Sequence, residues 1–293
     1  MSVHTDAHDL LKEVWANKFS INTPIPKENA NFKIFVKDDL YEVGSEGSIG
    51  VYTGRQKSRK TFALCCDVAS AIKAGPVGPF QRKTRGGIIL WFDTEQPKNR
   101  FLLTQRRLYK LAGLEADPTH FHAFMLRRYK VEDRVFIIGG VIKDLLAQGY
   151  TIDLIVIDGI VDICPSMMES APSAETVQHV MTWSDTTGAD MICVLHMNKG
   201  NTGEMRGHLG TELGNKADYV IAVEKKKDDD VFSVIRCKDS RFAPFHSFEL
   251  WQDKSGLLDE ERGTWQDPNN TGITVSYSGS VAPLDDIDTN LPF

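Results

Sequence analysis

The spacing of apolar positions changes along the chain in a regular way. Between Gly47 and Phe248, short unbroken apolar runs alternate with stretches in which apolar residues recur every three or four positions. The runs Ser48–Tyr52, Ile88–Asp93, Ala123–Leu126, Ile152–Asp158, Met191–His196, Tyr219–Glu224, Phe232–Arg236 and Ser247–Trp251 predict strands. Helical spacing predicts helices over Lys60–Ala74, Lys98–Ala112, Asp133–Gln148 and Ser173–Thr186. Strands apolar at nearly every position are buried on both faces, so the expected fold class is α/β, a mostly parallel central sheet flanked by helices. The last three runs lie close together, separated by the turn signals KKKDDD and DSRFAP, and predict antiparallel C-terminal strands. Upstream, Leu10, Leu11, Val14 and Trp15 fall at helical spacing, and the proline-bearing stretch INTPIPKENANF reads as a linker. The expected organisation is an N-terminal helix and linker arm over 1–45, a globular domain over 46–258, and a flexible tail over 259–293 rich in Gly, Asn, Ser, Thr, Asp and Pro.

Composition narrows the class without naming the chemistry. With 293 residues, 41% of them hydrophobic, the chain can bury a substantial core, which excludes disordered and disulfide-stapled classes. The five cysteines are odd in number, lack CxxC spacing and sit in apolar runs, favouring a reducing compartment and arguing against zinc. No apolar run approaches the roughly 18 residues that a membrane span needs, and the opening MSVHTDAHDLLKEVW is acidic where a signal peptide is basic. A cytoplasmic protein without a membrane partner is expected. The net charge of −6 lacks the basic bias of a nucleic-acid-coating protein, yet local basic clusters leave DNA open.

Candidate chemistry gathers at the ends of the predicted strands. The first runs into Gly54, Arg55, Gln56, Lys57, Ser58, Arg59, Lys60 and Thr61, and a helix follows. A strand–loop–helix of this kind cradles phosphate with backbone N–H groups and the positive helix end; Lys60 would reach the β/γ oxygens and the Thr61 hydroxyl would ligate Mg²⁺. Arg59 stands where G-x-x-x-x-G-K-[ST] has its second glycine, so it either takes a costly backbone conformation or reshapes the loop. A basic turn capping an ordinary helix is the plainer alternative for this segment. Asp158 ends another apolar strand as an acid that holds the Mg²⁺ shell would. FDTE, at 92–95, ends a third, making Glu95 the candidate general base, with Asp93 the lesser one. His196, in HMNK, is either a γ-phosphate sensor or a satisfied buried histidine.

These motifs resemble the RecA-like P-loop ATPases, in particular hexameric replicative helicases of the DnaB and plasmid RepA type, over roughly Gly47–Trp251. The resemblance rests on Gly54–Thr61, on Glu95 in FDTE, on Asp158, on His196–Lys199, and on VIRCKDSRFAP at 234–244. It implies a RecA-like ATPase domain using ATP and Mg²⁺, and a ring-shaped homo-oligomer, a hexamer. It also implies that Lys238 and Arg241 reach a neighbouring subunit's γ-phosphate as a trans-acting finger pair. The glycine-rich segment 200–210 corresponds to a pore loop that grips single-stranded DNA, making Lys199, Arg206 and His208 candidate DNA contacts; a plain connection, or Arg206 beside the nucleotide, remains open. The cluster Gln81–Arg85 reads as a solvated loop, with DNA contact the lesser reading, and KKKDDD as a self-neutralising hairpin tip. The end of the chain, PLDDIDTNLPF, resembles the acidic Pro-Phe tail of bacterial single-stranded-DNA-binding proteins, which is read by replication and repair proteins; a chance acidic tail is the alternative. The leading expectation is an ATP-driven motor on single-stranded DNA, a helicase or helicase loader of a plasmid, phage or mobile element. A regulatory RecA-like module with a degenerate loop, or a nucleotide switch that unwinds nothing, is the competing one.

Overall fold

A computed structural model describes residues 7–16, 18, 20–22, 24, 30–198, 204–225 and 232–263. Its centre is an eight-stranded sheet. Five strands, β3 (Ile49–Gly54), β5 (Ile88–Asp93), β6 (Phe121–Met125), β7 (Ile152–Asp158) and β8 (Asp190–His196), run parallel with β9 (Tyr219–Lys225). β10 (Phe232–Ser240) and β11 (Phe248–Trp251) close it antiparallel, in the order β11-β10-β9-β3-β8-β7-β5-β6. Each strand sends alternate side chains into different cores. Tyr52, Ile89, Trp91, Leu154 and Val156 join the core beneath α2 (Lys60–Lys73) and α3 (Lys98–Ala112). Their neighbours Val51, Leu90, Phe92, Ile155 and Ile157 pack on the other face under α4 (Val131–Ala147), α5 (Ser170–Thr187) and α6 (Gly207–Lys216). This is the RecA-like arrangement that the sequence predicts, with the mostly parallel sheet and the antiparallel C-terminal strands both present. No helix among the described residues is long and apolar enough to cross a membrane.

A second sheet was not anticipated. β1 (Ala30–Val36), β2 (Asp39–Ser45) and β4 (Phe80–Arg82) pair in the order β2-β1-β4. The stretch ANFKIFV buries Phe32, Ile34 and Val36 alternately, a period-two signal that the prolines upstream obscure. Residues 30–45, assigned from the sequence to the linker arm, are therefore strand, packed on the main sheet where the Phe32 ring lies 5.4 Å from that of Tyr219. α1 (Ala7–Ala16) is present, with Leu10, Leu11, Val14 and Trp15 exposed. α6 is another unpredicted element; Gly207, Gly210 and Gly214 weaken its helical signature, yet a Cβ at Gly210 would lie 2.6 Å from the Met205 backbone.

Arg82 corrects the reading of Gln81–Arg85 as a solvated loop. It is only 3% exposed and ties the two sheets to α2. Its Nη1 donates to Asp190 at 2.8 Å, its Nε and Nη2 to Asp67 on α2, and Nη2 also to the Tyr219 hydroxyl at 2.8 Å. Tyr52 donates to Asp67 at 2.8 Å, Asn31 to Asp190 at 3.1 Å, and the guanidinium stacks 3.9 Å over the Phe32 ring. Arg85 is likewise anchored, its Nε 2.8 Å from Asp153. One buried cation thus serves two buried acids, and burial pushes Asp190 up to about 6 even with Arg82 beside it. Replacing Arg82 by Ala strands both carboxylates and should cost about 3–5 kcal/mol of unfolding free energy. Urea titration of Arg82→Ala against wild type checks this; a loss below about 1 kcal/mol would show the network to be dispensable.

Candidate active site

The register of the parallel strands brings their carboxyl ends level. Gly54 pairs with His196, Asp158 with Val194, and Asp93 with Asp158, so the four strands deliver their terminal side chains to one edge. Open α/β sheets bind ligands at that edge.

The loop leaving β3 is tightly braced. A Cβ on Gly54 would collide with the Val223 carbonyl and lie 2.7 Å from Ser58 Oγ, which excludes any larger residue there. Ser233 on β10 donates to the Ser58 carbonyl at 3.0 Å. Arg55, Gln56 and Lys57 are exposed, Ser58 is buried, and Arg59 and Thr61 are half-buried. Arg59 takes the first of the two outcomes open to it: it caps α2 in the left-handed conformation, φ 67° and ψ 32°, which a residue with a Cβ adopts at a cost of about 1–2 kcal/mol. Ser58 Oγ and Arg59 Nη1 are buried without a hydrogen-bond partner. The first turn of α2 carries no acidic residue, leaving the partial positive charge at its N-terminus uncancelled.

Lys60 is 6% exposed, and its ammonium donates to the Gly54 and Arg55 carbonyls, each at 3.0 Å, and to His196 Nδ1 at 2.9 Å. Burial lowers its pKa to about 8, against the opposing pull of Glu95 and Asp158. The carboxylates are arranged unequally. Asp93 is fully buried and spends its oxygens on the Glu95 N–H at 3.1 Å, the Gln96 N–H at 2.7 Å and the Gln96 side-chain amide. It holds the turn, and burial pushes it up to about 6. Asp158 is 5% exposed; burial first, then Asp93 and Glu95, drive its pKa well above the carboxylate range. Glu95 is the accessible acid. Its Oε1 lies 3.6 Å from His196 Nε2, and contact with His196 holds its pKa below the ordinary value, with Lys60 adding to the effect.

Sequence reasoning missed the group that seats Glu95. The Thr94 hydroxyl accepts from the Gly159 N–H at 2.9 Å and sits 2.9 Å from Asp162. A Cβ on Gly159 would come within 2.5 Å of Glu95 Oε1, so the glycine makes room for the carboxylate. Arg134 fixes the far side by donating to the carbonyls of Asp162 at 2.6 Å and Leu126 at 3.1 Å. A Thr in a DTE turn and a Gly after a strand-ending Asp were the available signals.

Other expected residues fall elsewhere. Arg206 caps α6 and is exposed, as is His208, and the Arg206 N–H donates to the His196 carbonyl at 3.1 Å. His208 and Lys238 line a cavity of about 580 Å³ with Asn198, Met205 and Thr211. Lys199 and the Pro-Phe tail lie outside the described residues. Arg241 pairs with Asp218 at 3.0 Å, and Asp218 in turn accepts from the Ile49 N–H at 2.7 Å. That places Arg241 at the opposite end of β3 from Gly54, on the order of 15 Å from its own loop.

Among the described residues no three His, Cys, Asp or Glu side chains form a metal cage. The hydroxyl of Thr61 and the carboxylate of Asp158 are a sparse hard-oxygen set, which suits Mg²⁺, an ion that keeps waters and takes phosphate oxygens. The crowded acids at Asp93, Glu95 and Asp158 also favour a cation there. A family model described as an AAA domain matches residues 35–202, a span containing the loop, Glu95, Asp158 and His196. No curated protein matches the chain.

Two outcomes are expected. Arg59→Gly relieves the left-handed backbone and should stabilise the fold by about 1 kcal/mol; a melting temperature no higher than wild type would contradict this. Because Lys60 loses its charge above about pH 8, phosphate binding should take up a proton there, and MgADP affinity should fall by up to about tenfold per pH unit between about pH 8 and pH 9.5. Calorimetry in buffers of different ionisation enthalpy measures both; affinity flat over that range would remove Lys60 from the phosphates.

Proposed function

The chain belongs to the AAA domain family of P-loop ATPases, and from that premise we propose that it is an ATP-hydrolysing motor on single-stranded DNA, a hexameric replicative helicase or helicase loader of a plasmid, phage or mobile element. The observation that carries this reading is the separation of the two halves of the chemistry. Lys60, Glu95, Asp158 and His196 share one sheet edge, whereas Arg241 stands at the far end of β3 beside Asp218. A single copy cannot bring Arg241 to its own loop. A neighbouring copy can.

In this reading the loop N–H groups and Lys60 bind the β/γ-phosphates, and Glu95 orients the attacking water. Thr61 and Asp158 would hold Mg²⁺, which would supply charge neutralisation at the phosphates when bound. Lys238 and Arg241 of the adjacent copy stabilise charge that develops on the γ-phosphate, so turnover waits on closure of the ring. Arg206, His208 and Lys199 are the proposed contacts to single-stranded DNA, and the acidic Pro-Phe tail recruits replication or repair proteins. The strained, incompletely partnered Arg59 favours a second reading, a regulatory module that binds nucleotide weakly. Retention of the left-handed backbone at that position supports a working loop instead.

Turnover of ATP with and without single-stranded DNA tests the proposal. Wild type should be stimulated by DNA, and Lys60→Ala and Glu95→Gln should each abolish turnover. Arg241→Ala should keep nucleotide binding while turnover falls by about 10³-fold. A wild type without turnover would favour the regulatory module, and equal loss of binding and turnover in Arg241→Ala would end its role as a finger.

A further inference from the structure

Lys60 is fully occupied before any nucleotide arrives. A lysine ammonium has three hydrogens and no lone pair, and here it meets three acceptors: the Gly54 carbonyl, the Arg55 carbonyl and His196 Nδ1. Since the lysine can only donate, Nδ1 must accept, and the remaining ring proton of His196 belongs on Nε2. Nε2 faces Glu95 Oε1 at 3.6 Å. The hydrogen-bond pattern therefore sets the tautomer, and one imidazole spans the loop lysine and the accessible carboxylate.

We propose that His196 is a positioning residue acting as a nucleotide-displaced latch: it parks Lys60 in the loop and keeps Glu95 beside it until a phosphate takes the lysine away. The proposal rests on the nucleotide-site reading above and adds to it a resting state. A phosphate oxygen that accepts from Lys60 competes directly with Nδ1, so the Lys60–His196 bond opposes binding. Once that bond breaks, Nδ1 loses its donor, the ring is free to turn, and its hold on Glu95 ends. Binding and release of the base become one event. β8 makes the connection short, because His196 is its last residue and pairs in register with Gly54 at the start of the loop. The neighbouring Arg206 N–H donates to the His196 carbonyl at 3.1 Å, so the backbone that carries the ring is also tied to the cap of α6.

The latch predicts a gain of affinity on removing His196, which loss of structure does not. In the full-length protein, His196→Ala should bind MgADP about fivefold tighter, because a competing hydrogen bond of ordinary strength is gone. His196→Gln, whose amide can accept from Lys60 and donate toward Glu95, should return MgADP affinity to the wild-type value. A second readout needs no variant: ¹⁵N-histidine NMR of the wild type should show His196 as the Nε2–H tautomer without nucleotide and a changed Nδ1 signal with MgADP. Unchanged or weaker MgADP binding by His196→Ala, or an Nδ1–H tautomer in the nucleotide-free wild type, would overturn the latch while leaving the nucleotide site intact. Failure of wild type to bind MgADP would overturn the site reading and the latch together.

Discussion

The parallel hydrogen-bond ladder of β3, β8, β7 and β5 is the constraint on which the site depends. Side chains from four distant parts of the sequence can meet only if four strands end level, and the pairing of Gly54 with His196, of Val194 with Asp158 and of Asp158 with Asp93 enforces this. A slip of one residue in any pair would turn the terminal side chain to the other face of the sheet. The two cores prevent such slips, because Tyr52, Trp91 and Val156 belong to one and Val51, Phe92 and Ile157 to the other. Packing that has nothing to do with chemistry thus sets the position of every group that could take part in it.

Electrostatics at that edge is unbalanced by design of the same register. Asp93, Glu95 and Asp158 crowd together in a partly dry environment, and Lys60 is the cation placed among them. Burial raises Asp93 and Asp158 while it lowers Lys60, so each buried group is pushed toward its neutral form. Glu95 differs. Contact with His196 holds its pKa down, and it keeps the charge that a group polarising water needs. In the proposed function, a polyphosphate together with a divalent cation would bring both signs of charge into this pocket and relieve Lys60 and the acids at once.

Much of this was legible from the chain. The unbroken apolar runs ending in Asp93, Asp158 and His196 mark buried parallel strands, and the loop with Lys60 and Thr61 ahead of an apolar helix lies where the sequence puts it, at the carboxyl edge of those strands. What escaped has physical reasons. Phe32, Ile34 and Val36 alternate cleanly, but prolines upstream and a short hairpin turn make the segment read as linker. Arg82 sits in a basic cluster that composition assigns to solvent; its partners Asp67 and Asp190 are 15 and 108 residues away and become visible only when the sheets pack. α6 is masked by three glycines whose value lies in close approach to Met205 and Met167. The tautomer inferred for His196 follows from the three hydrogen bonds that the Lys60 ammonium donates and has no signature in sequence.

β10 joins two features that the sequence presents separately. Near its beginning, Ser233 holds the carbonyl of Ser58 and so braces the loop. Further along the same strand stands Lys238, and Arg241 follows just beyond the end, at the opposite edge of the sheet. In the proposed ring, a neighbour that engages Lys238 and Arg241 therefore presses on a strand whose other end supports the phosphate loop of its own subunit. Each subunit would then give its basic pair to one site while the same strand props up another. The left-handed Arg59 sits next to Ser58 in that loop, held by a domain that has the buried Arg82 network and two full cores to oppose the strain. A loop with that much external support can keep its shape without the glycine that shorter-range forces would demand.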